Sequence, residues 1–128
     1  MSATPCPCGS GAPYAACCGR FHAGELHLLA PDAERLMRSR YSAYVLGRVD
    51  YLLATWHPSR RPAQLDPNPA GLKWLGLEVR RCAAIDADHA TVELVARSKL
   101  AGRAERLHEL SRFVRESGRW FYLDGEAR

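Results

Sequence analysis

Four of the five cysteines of this 128-residue chain lie within its first eighteen residues. They form two pairs, Cys6 with Cys8 and Cys17 with Cys18, separated by a glycine-containing segment. Each pair can supply two thiolates, and the glycines allow the chain to turn back on itself. Four sulfur atoms can then surround one Zn²⁺ ion at about 2.3 Å. The spacing therefore predicts a single zinc ion held by these four cysteines.

Disulfide bonds are the alternative use of the same residues. Adjacent Cys17 and Cys18 cannot easily bond to each other, and a bond between Cys6 and Cys8 would close a strained ring, although pairing across the two pairs is possible. The first residues, Met-Ser-Ala-Thr-Pro, show neither the basic region nor the apolar run of a signal peptide. We therefore expect a cytoplasmic chain with reduced thiols, and clustered thiols in that compartment more often bind metal.

The cysteine segment carries a recognisable motif. Cys6-Pro7-Cys8-Gly9-Ser10-Gly11, followed by Tyr14 and Cys17-Cys18-Gly19, resembles the SEC-C motif, the zinc hook at the C-terminal tail of the SecA translocation ATPase. The tail version usually ends in Cys-His, where this chain has Cys17-Cys18. His22, four residues further on, is thus a spare candidate ligand.

The rest of the chain is similar to the YchJ family of small bacterial proteins, which join a SEC-C motif to a nuclear-transport-factor-2-like domain. The matching segments keep their order and are 36–44, 55–59, 74–77, 109–113 and 120–125. The resemblance implies a helical hairpin packed on a curved four-stranded antiparallel sheet, forming a cone with a pocket at its open end. It also implies a SEC-C motif over residues 1–24 and the larger domain over residues 25–128.

The pattern of the sequence independently predicts helices followed by strands. Asp32 is placed to cap a helix whose apolar residues recur every three or four positions, and Gly47 is placed to end it. A shorter helix is expected over residues 49–56, stopped by Pro58. Four prolines then exclude regular structure as far as about residue 70.

Alternating apolar residues predict four strands after that loop. We expect a first strand from residue 73, with three more over 91–99, 107–116 and 120–123. Short turns join them, and Asp124-Gly125 is interpreted as a turn after the last strand. Successive strands joined by short turns pair antiparallel. Helices first and a meander afterwards indicate an α+β fold.

Polar side chains in the body of the chain are candidates for chemistry in the cone pocket, namely Glu109, His57, Tyr41 and Arg112. A carboxylate in an apolar pocket has a raised pKa and can act as an acid or a base. The competing expectation is that Glu109 forms an ion pair with one of the many arginines, with Arg38 and Arg40 as candidates, because buried carboxylates are usually paired. His57 could lie at the pocket rim or cap the end of the second helix. Cys82 is expected to be a buried structural residue.

Charge and hydropathy restrict the possible partners. The formal net charge of +4 falls to about +2 once four thiolates and one Zn²⁺ are counted, and no run of like charge appears. This argues against a nucleic-acid-binding protein, and no apolar run approaches the roughly 20 residues that span a bilayer.

Two functions are consistent with the sequence. The favoured one is a cytoplasmic protein-interaction module with a structural zinc ion, docking through its hook, and the other is a small-molecule enzyme or ligand binder that uses the cone pocket.

Overall fold

Three helices precede a four-stranded sheet in the computed structural model, which describes residues 4–128. A 3-10 turn, Tyr14–Ala16, and the short helix α1, Gly19–His22, lie in the cysteine hook, which we define as residues 4–24. Helices α2, Ala33–Leu46, and α3, Val49–Ala54, form the hairpin. The strands are β1, Lys73–Asp86; β2, His89–Leu100; β3, Arg103–Glu116; and β4, Arg119–Ala127. The predicted α+β order is confirmed.

Helix α2 begins and ends where its capping residues predict. The Asp32 carboxylate accepts a hydrogen bond from the backbone N–H of Arg35 at 2.7 Å, which satisfies one of the free donors of the first turn. Gly47 follows the last residue with a φ of 72°, a left-handed conformation that glycine adopts without a steric cost. These two caps fix the length of the helix that carries one wall of the cone.

Helix α3, the second helix of the hairpin, ends earlier than predicted. It stops at Ala54, because the next residues pair with β4 instead of continuing the helix. The N–H of Tyr122 donates to the Thr55 carbonyl oxygen, and the N–H of His57 donates to the Tyr122 carbonyl oxygen, each at 2.8 Å. These bonds tie the end of the hairpin to the edge of the sheet.

All neighbouring strands pair antiparallel, in the order β1-β2-β3-β4. The strands are longer than predicted because the turns between them are tight. Ala101-Gly102 and Ser117-Gly118 each have positive φ at both residues, as two-residue hairpin turns require. The interpretation of Asp124-Gly125 as a turn was wrong. Both residues lie inside β4, opposite Arg112 and Ser111, after a register irregularity at which Leu123 of β4 has no partner in β3.

The core lies between the hairpin and the concave face of the sheet. Leu36 and Leu52 from the helices, and Val92 and Phe113 from the strands, are at most 2% exposed. Burial of each such side chain contributes about 1.5–3 kcal/mol. Cysteines and Phe21 of the hook belong to the same continuous cluster, so the hook is an extension of the core. None of the helices within residues 4–128 is long and apolar enough to cross a membrane.

Candidate metal centre and cone cavity

The four predicted metal ligands come together in the structure. The sulfur atoms of Cys6, Cys8, Cys17 and Cys18 all lie within 4.8 Å of one another, and all four are free thiols. The Sγ atoms of Cys8 and Cys17 are 3.7 Å apart. Sulfur ligands 2.3 Å from a tetrahedral Zn²⁺ are about 3.8 Å apart. The donor set and its spacing therefore suit one tetrahedral metal ion.

Backbone hydrogen bonds close the hook around these sulfur atoms. The N–H of Cys6 donates to Ala12 O at 3.0 Å, and the N–H of Tyr14 donates to Thr4 O at 2.8 Å. Gly9 and Gly11, between the two cysteine pairs, have φ values of 79° and 87°, which L side chains rarely adopt. The glycines thus allow the reversal that the motif predicts.

Side chains of helix α2 contact the cysteine cluster. The Arg38 Nη1 donates to the Cys8 carbonyl oxygen at 3.0 Å, and the hydroxyl of Ser42 lies 3.5 Å from the Cys6 sulfur. The pKa of Cys8 is lowered to about 4, mainly by a hydrogen bond from the Cys18 thiol. This low pKa favours the thiolate form that binds metal, whereas burial raises the pKa of Cys17 and the hydrogen bond with Cys8 raises that of Cys18.

His22 holds the hook to α2. Its Nε2–H donates to the Ser39 carbonyl oxygen at 2.8 Å, and its Nδ1 accepts from the Tyr14 hydroxyl at 2.5 Å. The side chain is buried, and desolvation lowers the pKa of the imidazole. Both ring nitrogens are occupied, so in this arrangement His22 offers no lone pair to a metal ion and is not among the clustered ligands.

A second candidate site is a cavity of about 310 Å³ between α2 and the concave face of the sheet. Two of the four sequence candidates, Tyr41 and Glu109, line it. The Glu109 carboxylate accepts a hydrogen bond from the Ser111 hydroxyl at 2.6 Å. Five further aromatic residues line the cavity. The cone is therefore open rather than filled by its own side chains.

The expected ion pair of Glu109 is absent among the described residues. Arg38 donates from Nη1 to the Cys8 carbonyl oxygen of the hook and from Nε to Glu34 of its own helix, each at 3.0 Å. Arg40 is buried in the cavity wall, and its Nη1 donates to Leu52 O and Thr55 Oγ1. The prediction that one of these arginines pairs with Glu109 was wrong, because both already bind oxygen atoms elsewhere.

The other two candidates lie away from the cavity. The imidazole of His57 contacts Ser59 Oγ through Nδ1 at 2.7 Å and Glu116 Oε2 through Nε2 at 2.8 Å, so it does not cap α3 with its side chain. Arg112 donates to Asp124 at 2.6 Å on the opposite face of β3 from Glu109. The structure does not bring His57 and Glu109 to one site.

From the sequence, Arg40 was expected only as an ion-pair partner of Glu109, and its place in the cavity wall was not predicted. The position of Cys82 was also predicted wrongly. Arg40 lies four residues from both Leu36 and Tyr44, so it falls on the apolar stripe of α2. A charged residue within such a stripe was the available signal. Cys82 is exposed, not buried as expected, and its thiol donates to Glu34 at 3.5 Å.

Comparison with known proteins identifies the family. A family model described as the middle, NTF2-like domain of YchJ matches residues 32–125, and a model of the SEC-C motif matches residues 4–20. The chain belongs to the YchJ family. Family membership accounts for both the cone and the cysteine hook, since the two matches cover these two parts of the fold.

Relatives within the YchJ family extend over nearly the whole chain. The UPF0225 protein BPP1723 of Bordetella parapertussis is 61% identical over 127 residues, covering 99% of this chain and 96% of the relative. The UPF0225 protein Mpe_A2093 of Methylibium petroleiphilum is 68% identical over 122 residues, covering 95% and 88%.

Two solved structures share the fold. The solution structure of RPA3114, a SEC-C motif containing protein from Rhodopseudomonas palustris, has a TM-score of 0.84 at 36% identity and covers 98% of this chain and 99% of that one. The crystal structure of a SEC-C motif containing protein from Psychrobacter arcticus has a TM-score of 0.79 at 30% identity, with coverages of 98% and 83%. The NTF2-like architecture and the hook therefore occur together in these neighbours.

Proposed function

We propose that this YchJ-family chain is a cytoplasmic protein-interaction module whose hook holds one structural Zn²⁺ ion. The observation that carries the proposal is the group of four cysteine sulfurs within 4.8 Å of one another. A site closed by four thiolates keeps no open coordination position for a substrate. In this proposal residues 1–24 form the zinc-binding motif and residues 25–128 form the domain.

The local structure of the hook supports a structural role for the metal. Its regular elements are a three-residue 3-10 turn and a four-residue helix. Helices of this length are unstable on their own in water, and the free energy of zinc binding is available to fold such small segments. The metal would thus hold the hook in one conformation against α2.

Reduced thiols and an exposed hook surface support the cytoplasmic interaction role. The five cysteines are free, as expected in a reducing compartment. The hook exposes Ser10, Ala15, Ala16 and Arg20 to solvent. By likeness to the SEC-C hook, this surface is where a protein partner would dock.

Paired substitutions of exposed alanines test the docking surface without touching the metal ligands. Ala15→Arg changes the hook, and Ala104→Arg places the same side chain on the exposed start of β3. We expect both variants to keep one zinc ion. We expect Ala15→Arg, but not Ala104→Arg, to lose the proteins that the wild-type chain captures reproducibly from bacterial cytosol. Equal capture by the two variants would contradict docking through the hook.

A second function, binding of a small molecule in the cone, is favoured by the open cavity. Its volume of about 310 Å³ falls in the range of ligand pockets. Tyr41 and Glu109 remain candidate polar groups there, whereas His57 and Arg112 contact other residues outside it. We therefore propose binding, with Glu109 as the polar anchor, as the function of the cone.

A further inference from the structure

Aromatic rings form a large part of the cavity walls. Six aromatic side chains line it: Tyr41, Tyr44, Trp56, Trp74, Phe113 and Tyr122. Several contact each other edge to face, with 5.6 Å between the ring centres of Tyr41 and Trp74 and 5.2 Å between those of Trp56 and Tyr122. The space holds about ten water molecules at their volume in the liquid, which is enough for a compound of one or two rings. A flat, conjugated molecule suits such walls.

Arg40 places a positive charge in the cavity wall. The residue is 5% exposed, and its guanidinium carbon lies 4.5 Å from the centre of the Tyr122 ring and 5.2 Å from that of the Trp56 ring. Both of its hydrogen bonds within residues 4–128 use Nη1. No carboxylate of residues 4–128 lies within ion-pair distance of it. A guanidinium carries five N–H groups, so donors remain for a hydrogen-bond acceptor in the cavity.

Glu109 places the opposite charge in the same cavity. Within the described chain its side-chain hydrogen bond is the one from Ser111 at 2.6 Å, and it joins no ion pair there. A carboxylate has about four acceptor positions, so it can still accept from a bound N–H or O–H group. Because the positive charge of Arg40 and the negative charge of Glu109 offset each other, the cavity favours an uncharged ligand over a charged one.

Two indole N–H groups lie unpaired within the cavity walls, among the described residues. The Nε1 atoms of Trp56 and Trp74 are buried and have no hydrogen-bond partner in the part of the chain that the structure describes. Both side chains line the cavity. A buried donor without an acceptor costs about 1–3 kcal/mol.

We infer that the cone cavity binds an uncharged, planar heteroaromatic lactam, a ring in which a carbonyl group adjoins an N–H group. The carbonyl oxygen accepts from Arg40, the ring N–H donates to Glu109, and the ring packs between the aromatic side chains. The inference rests on the small-molecule function proposed above for the cone and is independent of the zinc hook.

The test uses lumazine, a two-ring lactam, and the zinc-loaded full chain labelled with ¹⁵N. We expect lumazine to shift the indole N–H signals of Trp56 and Trp74 and to leave that of Trp120, which lies outside the cavity lining, unchanged. Two compounds of similar size serve as controls. 1,3-Dimethyllumazine keeps the carbonyls and lacks the N–H groups, and quinoxaline keeps two fused rings and lacks both. We expect each to bind at least tenfold more weakly than lumazine.

Substitutions on β3 identify the anchor. Glu109→Gln keeps the size of the side chain and an acceptor for Ser111 while removing the charge, and we expect at least tenfold weaker lumazine binding. Glu105→Gln, an exposed change on the same strand, should leave the affinity unchanged. Quinoxaline binding as tightly as lumazine, or full affinity in Glu109→Gln, would overturn the lactam inference and leave the cavity a binding site. If none of the three compounds shifts the indole N–H signals at millimolar concentration, both the lactam inference and the proposed small-molecule binding in the cone are overturned.

Discussion

The Nε2 of His22 lies 2.8 Å from the carbonyl oxygen of Ser39, and this contact joins the cysteine hook to the middle of helix α2. Arg38 also donates to the Cys8 carbonyl oxygen at 3.0 Å. Helix α2 therefore packs against both the hook and the cone cavity. One part of the helix supports the metal ligands, and the neighbouring Arg40 and Tyr41 line the cone cavity. The account therefore predicts that the hook is a fixed part of the fold.

The buried His22 should make stability depend on pH. Burial, the largest cause, lowers the pKa of His22, and nearby Arg48 and His27 lower it further. The unfolded chain has a histidine pKa of about 6.5, so the full contribution is present above that pH. It is lost as the pH falls below about 6.5, because the unfolded state then binds more protons than the folded state.

Comparison of the wild type with His22→Asn separates the titration of His22 from acid-induced loss of metal, because both proteins keep the four hook cysteines. We expect urea unfolding of the zinc-loaded proteins to show the wild type more stable at pH 7.5, with an advantage that shrinks toward pH 5.5. A difference that stays constant, or grows as the pH falls, would contradict a neutral, buried His22.

Arg38 should affect metal affinity although it is not a ligand. Its guanidinium donates to Cys8 O and to Glu34 Oε2, and groups that orient metal ligands typically contribute about 10–100-fold in affinity. We expect Arg38→Gln to weaken zinc binding by about tenfold in competition with a chelator. Arg35→Gln is the matched control, because that exposed side chain lies 3.8 Å from Asp32 and, within residues 4–128, forms no hydrogen bond with a hook cysteine. Equal affinities would exclude the supporting role of Arg38.

Gly19 leaves no room for a side chain. A Cβ atom there would lie 2.8 Å from the Tyr14 carbonyl oxygen and 2.9 Å from its ring. That oxygen accepts from the N–H of Cys17 at 3.0 Å, so it cannot move without moving a metal ligand. We expect Gly19→Ala to destabilise the folded, zinc-loaded chain by about 1–3 kcal/mol and to speed hydrogen exchange in the hook. The exposed substitution Ala16→Ser should do neither, and a normal exchange rate in Gly19→Ala would refute the contact.

His57 should matter little to either site. It pairs with Glu116, whose side chain is 57% exposed, and such surface pairs contribute about 0–1 kcal/mol. We expect His57→Gln to change the free energy of unfolding by less than about 1 kcal/mol and to leave lumazine affinity unchanged, whereas Glu109→Gln weakens it. Loss of ligand binding in His57→Gln would show that His57 reaches the cavity.

Local signals in the sequence predicted the features that depend on neighbouring residues. The spacing of the cysteine pairs predicted the sulfur cluster, and Asp32 and Gly47 predicted both ends of α2. Features that depend on distant residues were harder to predict. Helix α3 ends early because Thr55 and His57 pair with Tyr122, more than sixty positions away.

Gly125 shows how a tertiary contact overrides a turn signal. Asp124-Gly125 has the composition of a turn, yet it lies in β4, and a Cβ atom at Gly125 would overlap the carboxyl group of Glu109. The glycine therefore accommodates the close approach of Glu109. That requirement is visible only once β3 and β4 are paired, and for the same reason the unpaired state of Glu109 could not be predicted from the sequence.

Native mass spectrometry of the purified chain and two cysteine variants tests the central claim most directly. The account predicts one Zn²⁺ ion per chain in the wild type and in Cys82→Ser, whose cysteine is exposed on β1 away from the cluster. It predicts no stoichiometric zinc in Cys17→Ser, which leaves three thiolates and no nitrogen ligand free at His22. Retention of one zinc ion at wild-type affinity by Cys17→Ser, or its loss from Cys82→Ser, would contradict a structural site built from the four hook cysteines.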